Sequence, residues 1–292
     1  TNLFGVTLKR LGIEVTFVDQ RDEAAVRGAF RKNTKALFGE TIANPALTVL
    51  DIEKMAGIAH ENGVPLIVDN TFATPVLCRP IEWGADIVMH STSKYMDGHA
   101  VQLGGVIVDS GNFDWTKNGK FPELTEPDES YHGVSYTQTF GRAAYVSKAR
   151  LQLVRDMGVY PPASAAFLLN LGLETLALRM ERHSQNALRV AEFLSSSEKA
   201  ASVNYPGLPG NPYYKLAKKY VPGGCSGVVS FEVKGGKDAA VRFLDSLKLA
   251  AIVVHVADAR TGVLHPASST HRQLTDEQLA AAGVTPGLVR IS

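Results

Sequence analysis

Short apolar runs of strand length alternate with stretches of helical spacing through the first half of the chain, and this alternation predicts parallel β-α-β units. Leu3, Leu8 and Leu11 fit one face of a helix closed by Gly12, and residues 14–18 alternate as a strand. Residues 24–30 read as a short helix and 35–40 as a strand. Asp51 is placed to cap a helix carrying Ile52, Met55, Ile58 and Ala59 on one face, with Gly63 as its left-handed stop. Residues 64–68, 87–89 and 105–108 are apolar throughout, which predicts strands covered on both faces.

Residues 111–139, rich in Gly, Pro, Asp and aromatics, hold no sustained period and predict a long surface or active-site loop. A helical stretch over 141–157 and the YPP punctuation at 160–162 follow. Leu168, Leu171, Leu176, Met180, Ala187, Val190 and Leu194 then recur at helical spacing, predicting two helices that meet near 181–184. Strands near 228–233, 252–256 and 288–291, with helices near 239–247 and 275–281, make a smaller α+β unit. The expected organisation is α/β, with a large domain over 1–155 and a smaller one over 156–292. The sequence opens inside a helical pattern and stops inside a strand-like run, so we expect a portion of a longer chain, without the start of the first domain or the last helix of the second.

Composition narrows the function classes. Of 292 residues, 45% are hydrophobic and 20% charged, and 30 basic against 29 acidic side chains leave a net charge of +1. That balance argues against disorder and against a basic nucleic-acid surface. The longest apolar runs fall far short of the roughly 20 residues of a membrane span, and no signal peptide opens the chain, which predicts a soluble, cytoplasmic protein with neither a membrane nor a nucleic-acid partner. Cys78 and Cys225 lack paired spacing and predict free, partly buried thiols.

In an open parallel sheet, ligands sit beyond the carboxyl ends of the strands. Asn44 of TIANP, Asp69-Asn70, Ser91-Thr92-Ser93-Lys94 and the loop His265–His271 are the candidate segments. An acid, a lysine and clustered hydroxyls fit pyridoxal phosphate, which needs a lysine for its Schiff base and a carboxylate to keep its pyridine nitrogen protonated. Asp69 and Lys94 supply both, and Ser91 and Ser93 flank the lysine as candidate phosphate ligands. Each residue also has an ordinary reading: an Asp after a strand commonly caps a turn, and a lysine is commonly a solvated surface charge.

The runs VDNTFATP (68–75), HSTSKYMDGH (90–99), QLGGVIV (102–108), GLETLALRMERHSQNA (172–187) and HPASSTH (265–271) resemble the Cys/Met-metabolism family of pyridoxal-phosphate enzymes over nearly the whole chain. Residues 113–133 are most similar to its O-acetylhomoserine sulfhydrylase branch. The resemblance implies the PLP-dependent transferase fold (fold type I) and γ-replacement on O-acetylhomoserine by sulfide or a small thiol. It also implies a homotetramer built from dimers that share active sites. By matching positions, Lys94 is the Schiff-base lysine, Asp69 the pyridinium partner, Ser91 and Ser93 phosphate ligands, and Asn44 a neighbour of ring and substrate. Ser268 lies near the substrate and Arg290 of LVRIS clamps its α-carboxylate. A stretch preceding TNLF in relatives carries a phosphate-binding helix start, a ring-stacking tyrosine and an intersubunit arm. None of these is present in the sequence.

Four rivals are weighed against this reading. Within the family they are cystathionine γ-synthase, γ-lyase or methionine γ-lyase activity. Ser91-x-x-Lys94 matches the short S-x-x-K pattern of serine acyltransferases, but Ser91 follows a strand, whereas their serine opens a helix. His265 and His271 are spaced i, i+6 without acidic or Cys partners, poor for a metal, so no metal site is assigned. A non-catalytic, truncated subunit is the fourth. For Arg290 alone the rival role is an internal salt bridge.

Overall fold

Three apolar runs of the first half pair in parallel, as their alternation with helices requires. In the computed structural model, which describes residues 2–281 and 283–292, β1 (Leu37–Glu40), β2 (Leu66–Asp69) and β3 (Ile87–Ser91) lie side by side in that order. Leu37 stands opposite Leu66 and Ile67 opposite Ile87. All three strands therefore end on the same edge, at Glu40, Asp69 and Ser91. The crossover helix Ile52–Glu61 buries Ile52, Met55, Ile58 and Ala59, the expected face, and Gly63 at φ +65° lies just beyond it. Asp51 does not cap it. The Tyr220 hydroxyl does, accepting the Glu53 N–H at 3.2 Å while donating to Asp51 Oδ1 at 2.5 Å. A long-range partner has replaced the local one.

β4 (Gly105–Asp109) joins β3 antiparallel, with Ser91 opposite Gly105. It is an edge strand, and Val106, Ile107 and Val108 are 38%, 50% and 42% exposed rather than covered on both faces. Residues 14–18 are exposed and form no strand. Alternation describes a two-faced ribbon, whereas a strand exists only where its N–H and C=O groups find a ladder.

Two further expectations are corrected. The loop over 111–139 contains the helices Pro122–Thr125 and Tyr136–Phe140. It folds around its own small core, in which Trp115, Phe121, Leu124 and Tyr136 pack with Ile87 and Ala144. Helices of four and five residues are too short to display a period in the sequence. The long helices Ala163–Glu174 and Leu176–Ser195 meet at Thr175 rather than near 181–184. Arg179 stabilises that break: its Nη2 donates to the Gly172 carbonyl at 2.6 Å and its Nε to Thr175 Oγ1 at 3.0 Å.

The second sheet comprises β5 (Ala200–Asn204), β6 (Val229–Val233), β7 (Ala251–Ile252), β8 (Gly262–Leu264) and β9 (Leu288–Ile291), in the order β5-β6-β9-β8-β7. β9 is central and antiparallel to both neighbours. β5, β8 and the helix Tyr214–Tyr220 carried too weak a pattern to be read from sequence, and the strand expected over 252–256 reduces to Ala251–Ile252. One core runs across both halves of the sequence, bringing Leu66, Val68 and Tyr95 together with Met180, Tyr205, Tyr220 and Val228. Cys78 and Cys225 are fully buried, unpaired thiols. Among the described residues no helix is long and apolar enough to cross a membrane.

Candidate active site

Lys94 lies in a series of turns directly after β3. The Gly98 N–H donates to the Lys94 carbonyl at 2.7 Å, and Arg179 Nη1 donates to the Tyr95 carbonyl at 2.6 Å. Gly98 has φ +75°, and a Cβ there would fall 2.4 Å from the Arg179 guanidinium, so glycine is required on both counts. The Tyr95 hydroxyl accepts the Gly227 N–H at 2.8 Å and ties the loop to the second half. The backbone carrying Lys94 is thus held from several sides. Its side chain is half-buried, and burial, then the Arg290 charge, hold the ammonium below the ordinary lysine value.

Arg290 stands in β9, 3% exposed. Nη1 donates to Asn44 Oδ1 at 3.2 Å, and Nη2 to the carbonyls of Val254 and His255 at 3.0 and 3.3 Å. Nε is buried with no partner among the described residues. No carboxylate lies within salt-bridge distance among the described residues, so the internal ion pair is not formed. Burial pushes this guanidinium down to about 10. A buried cation satisfied only by neutral acceptors leaves room for an anion.

Asp69 closes β2, where its Oδ1 accepts the Thr71 N–H at 2.9 Å in the turn that the ordinary reading describes. Beside it on β1, Glu40 accepts the Asn44 N–H at 3.2 Å. Glu40 keeps an exposed face, yet crowding by surrounding protein, reinforced by Asp69, pushes its carboxyl up to about 7. A series of neighbours therefore runs from Asp69 past Glu40 and Asn44 to Arg290 and, through His255, to Lys94. The serines differ. Ser93 Oγ is engaged with the Gly104 backbone, accepting its N–H at 3.0 Å, whereas the Ser91 hydroxyl makes no hydrogen bond among the described residues.

Ser268 is exposed and bonds His265 Nδ1 at 2.8 Å, while His265 Nε2 meets the Pro286 carbonyl at 2.8 Å. His271 pairs with Thr270 at 2.9 Å, and burial, then Arg290, lower its ring below the ordinary imidazole value. Two histidines were given no role by the sequence reading. His90 is buried on β3 with Nδ1 unpartnered among the described residues, and burial lowers its ring. His255 approaches Lys94, with Nδ1 at 3.4 Å from Nζ. The apolar run around His90 signalled only a strand, and no motif surrounds His255. A cavity of about 260 Å³ lined by His60, Asp86, Phe113 and Lys117 contains none of the expected site residues.

A family model described as Cys/Met metabolism PLP-dependent enzyme matches residues 1–292. The chain belongs to this family. It is similar to a homocysteine synthase of Schizosaccharomyces pombe, 50% identical over 100% of this chain and 68% of that protein. An O-acetyl-L-homoserine sulfhydrylase of Leptospira meyeri is 47% identical over the same shares. A crystal structure described as an O-acetylhomoserine (thiol)-lyase of Campylobacter jejuni, which carries a pyridoxyl-lysine phosphate residue, superposes with a TM-score of 0.96 at 38% identity, covering 100% of this chain and 69% of that one. The fold is therefore the α/β fold type I of PLP-dependent enzymes, and the chain is a member of an enzyme family whose cofactor is pyridoxal phosphate. The residues present suit that group chemically: an amine depressed by burial, a strand-end carboxylate, an unbonded Ser91 hydroxyl and the orphaned Arg290 Nε.

Proposed function

We propose that the chain catalyses replacement at the γ-carbon of O-acetylhomoserine by sulfide or a small thiol, releasing acetate and forming homocysteine or methionine. The observation that carries this is a buried Arg290, linked to Lys94 through His255, that has hydrogen-bond acceptors but, among the described residues, no acid. An amino-acid substrate supplies the missing carboxylate, and the planar guanidinium fork holds it in one orientation. Relatives named O-acetyl-L-homoserine sulfhydrylase, 46–48% identical, support the acyl-homoserine substrate over cystathionine.

Pyridoxal phosphate, when bound, supplies an electron sink for charge developing at the substrate α-carbon. Lys94 Nζ holds the cofactor at rest and, once free, moves the proton from the α-carbon. Its depressed pKa places more of the amine in the proton-accepting form near neutral pH. Asp69, as carboxylate, keeps the pyridine nitrogen protonated. Ser91 and Ser93 serve the phosphate, Asn44 orients Arg290 beside the ring, and Ser268 stands at the substrate side.

On this reading residues 1–155 hold the cofactor and 156–292 bring the carboxylate clamp. The working form is a cytoplasmic homotetramer of dimers with shared sites, placed in methionine biosynthesis. Steady-state assays with acetylhomoserine, succinylhomoserine and cystathionine, each with and without sulfide, test the proposal. Sulfide-dependent turnover greatest with acetylhomoserine supports it, and turnover confined to cystathionine overturns it.

A further inference from the structure

His255 belongs to none of the motifs that marked the site, yet it stands between the two cations. Its Nδ1 is 3.4 Å from Lys94 Nζ, at the long end of hydrogen-bonding range. Its carbonyl accepts from Arg290 Nη2 at 3.3 Å, and its Nε2 is buried without a partner among the described residues. An ammonium has donors only, so Nδ1 is the acceptor and the neutral ring carries its proton on Nε2. The segment bearing the ring is fixed at both sides. The Ala257 N–H donates to Ser292 Oγ at 2.7 Å, and the Ala259 N–H to the Gly98 carbonyl at 2.7 Å, in the same loop that carries Lys94. Ala257 is fully buried at φ +67°, a conformation a non-glycine residue keeps only where surrounding contacts enforce it.

We propose that His255 is a positioning residue for Lys94: the neutral imidazole accepts an Nζ–H hydrogen bond at Nδ1 and holds the amine in the site, and protonation of the ring at acid pH releases it. This rests on Lys94 being the cofactor lysine. The charges facing the ring decide the direction of its titration. Burial and Lys94 disfavour the imidazolium, as does Arg290, against the opposing pull of Asp258 and Asp97. The neutral form therefore persists below the ordinary imidazole value. Once protonated, the ring loses its acceptor and becomes a third cation beside Lys94 and Arg290.

The test uses the full chain freed of cofactor, the variants His255→Asn and His255→Leu, and pyridoxal phosphate as the probe. Uptake is followed by the growth of visible absorbance across about pH 5 to 9, the range in which histidine titrates. Borohydride reduction and peptide mass then identify the labelled lysine. Wild type should show an acid inflection in the uptake rate beyond that of the amine alone. His255→Asn keeps an acceptor that cannot titrate, so its plateau rate should stay near wild type while that inflection disappears. His255→Leu should lower the plateau about tenfold, the equivalent of one lost hydrogen bond of about 1.4 kcal/mol. Label on Lys94 with identical profiles in all three proteins overturns the role of His255 and leaves Lys94 standing. Label on another lysine in wild type overturns the assignment of Lys94 and, with it, the proposal. If His255→Leu does not fold, as judged by circular dichroism, His255→Asn decides alone, and an acid inflection that survives in it sinks the proposal.

Discussion

Lys94 and Arg290, the two cations of the proposed site, are held by different parts of the fold. Lys94 follows a parallel strand on a loop whose backbone is pinned, while among the described residues its amine has one long contact, to His255. Arg290 sits in the central strand of the second sheet, 3% exposed, with three acceptors around its Nη atoms. A group that must detach and carry a proton needs a fixed root and a free tip. A group that must hold a carboxylate in one orientation needs the rigidity of a paired strand. The contrast assigns chemistry to the loop and geometry to the sheet.

The largest effect expected is on the mobile side. Lys94→Ala should remove cofactor attachment and lower turnover by more than about 10³-fold, within the span of general acid–base and nucleophilic contributions. Borohydride-reducible cofactor remaining in the variant would move the attachment elsewhere. Asp69→Asn should keep the fold and some cofactor while losing about 10²-fold in kcat, because an amide cannot hold the pyridinium proton as a carboxylate does. A kcat near wild type would show that the electron sink does not depend on Asp69.

Arg290→Lys sharpens the comparison from the rigid side. It should raise KM for the amino-acid substrate by tenfold or more, about 1.4 kcal/mol, with cofactor binding retained. A fall in thermal stability with KM unchanged would recast Arg290 as a structural tie between Asn44 and the 254–255 carbonyls. The smallest effect concerns the buried imidazoles. Burial holds His90 below its ordinary value, and His183, His255 and His271 shift the same way. The unfolded rings bind protons near pH 6.5 and the folded ones resist, so stability is full above that pH and declines as pH falls below it. Glu40, whose raised carboxyl shifts stability the opposite way over the same range, is common to wild type and variant, so the His90 contribution is read as a difference: between about pH 7 and 5 the Tm of wild type should fall by a few degrees relative to that of His90→Asn. Identical pH dependence of Tm in the two proteins would refute the linkage.

The placement of Asp69, Ser91, Lys94 and Asn44 at or shortly beyond strand ends was legible, because the apolar runs before them form strands and strand ends in a parallel sheet share an edge. The burial of Arg290 was legible from its place inside an apolar run, whereas the run by itself favoured an internal salt bridge and only the resemblance of LVRIS pointed to a substrate carboxylate. The helix Ile52–Glu61 was legible by its stripe, whereas its cap was not, because Tyr220 reaches it from 167 residues away. Residues 14–18 carried a strand's pattern without a strand's partner, and the small aromatic core of 111–139 had elements too short for periodicity to reveal.

By itself, then, the order of side chains determined most of the strand–helix alternation, which residues stand near strand ends, and the family, since these are written in short runs of sequence. Only the tertiary structure decided what surrounds that chemistry. His255 meets Lys94 across 161 residues, and Arg290 meets Asn44 across 246. No local preference encodes such contacts: they arise when a shared core presses the second sheet against the ends of the first, and the desolvation that lowers Lys94 and Arg290 comes with that closure.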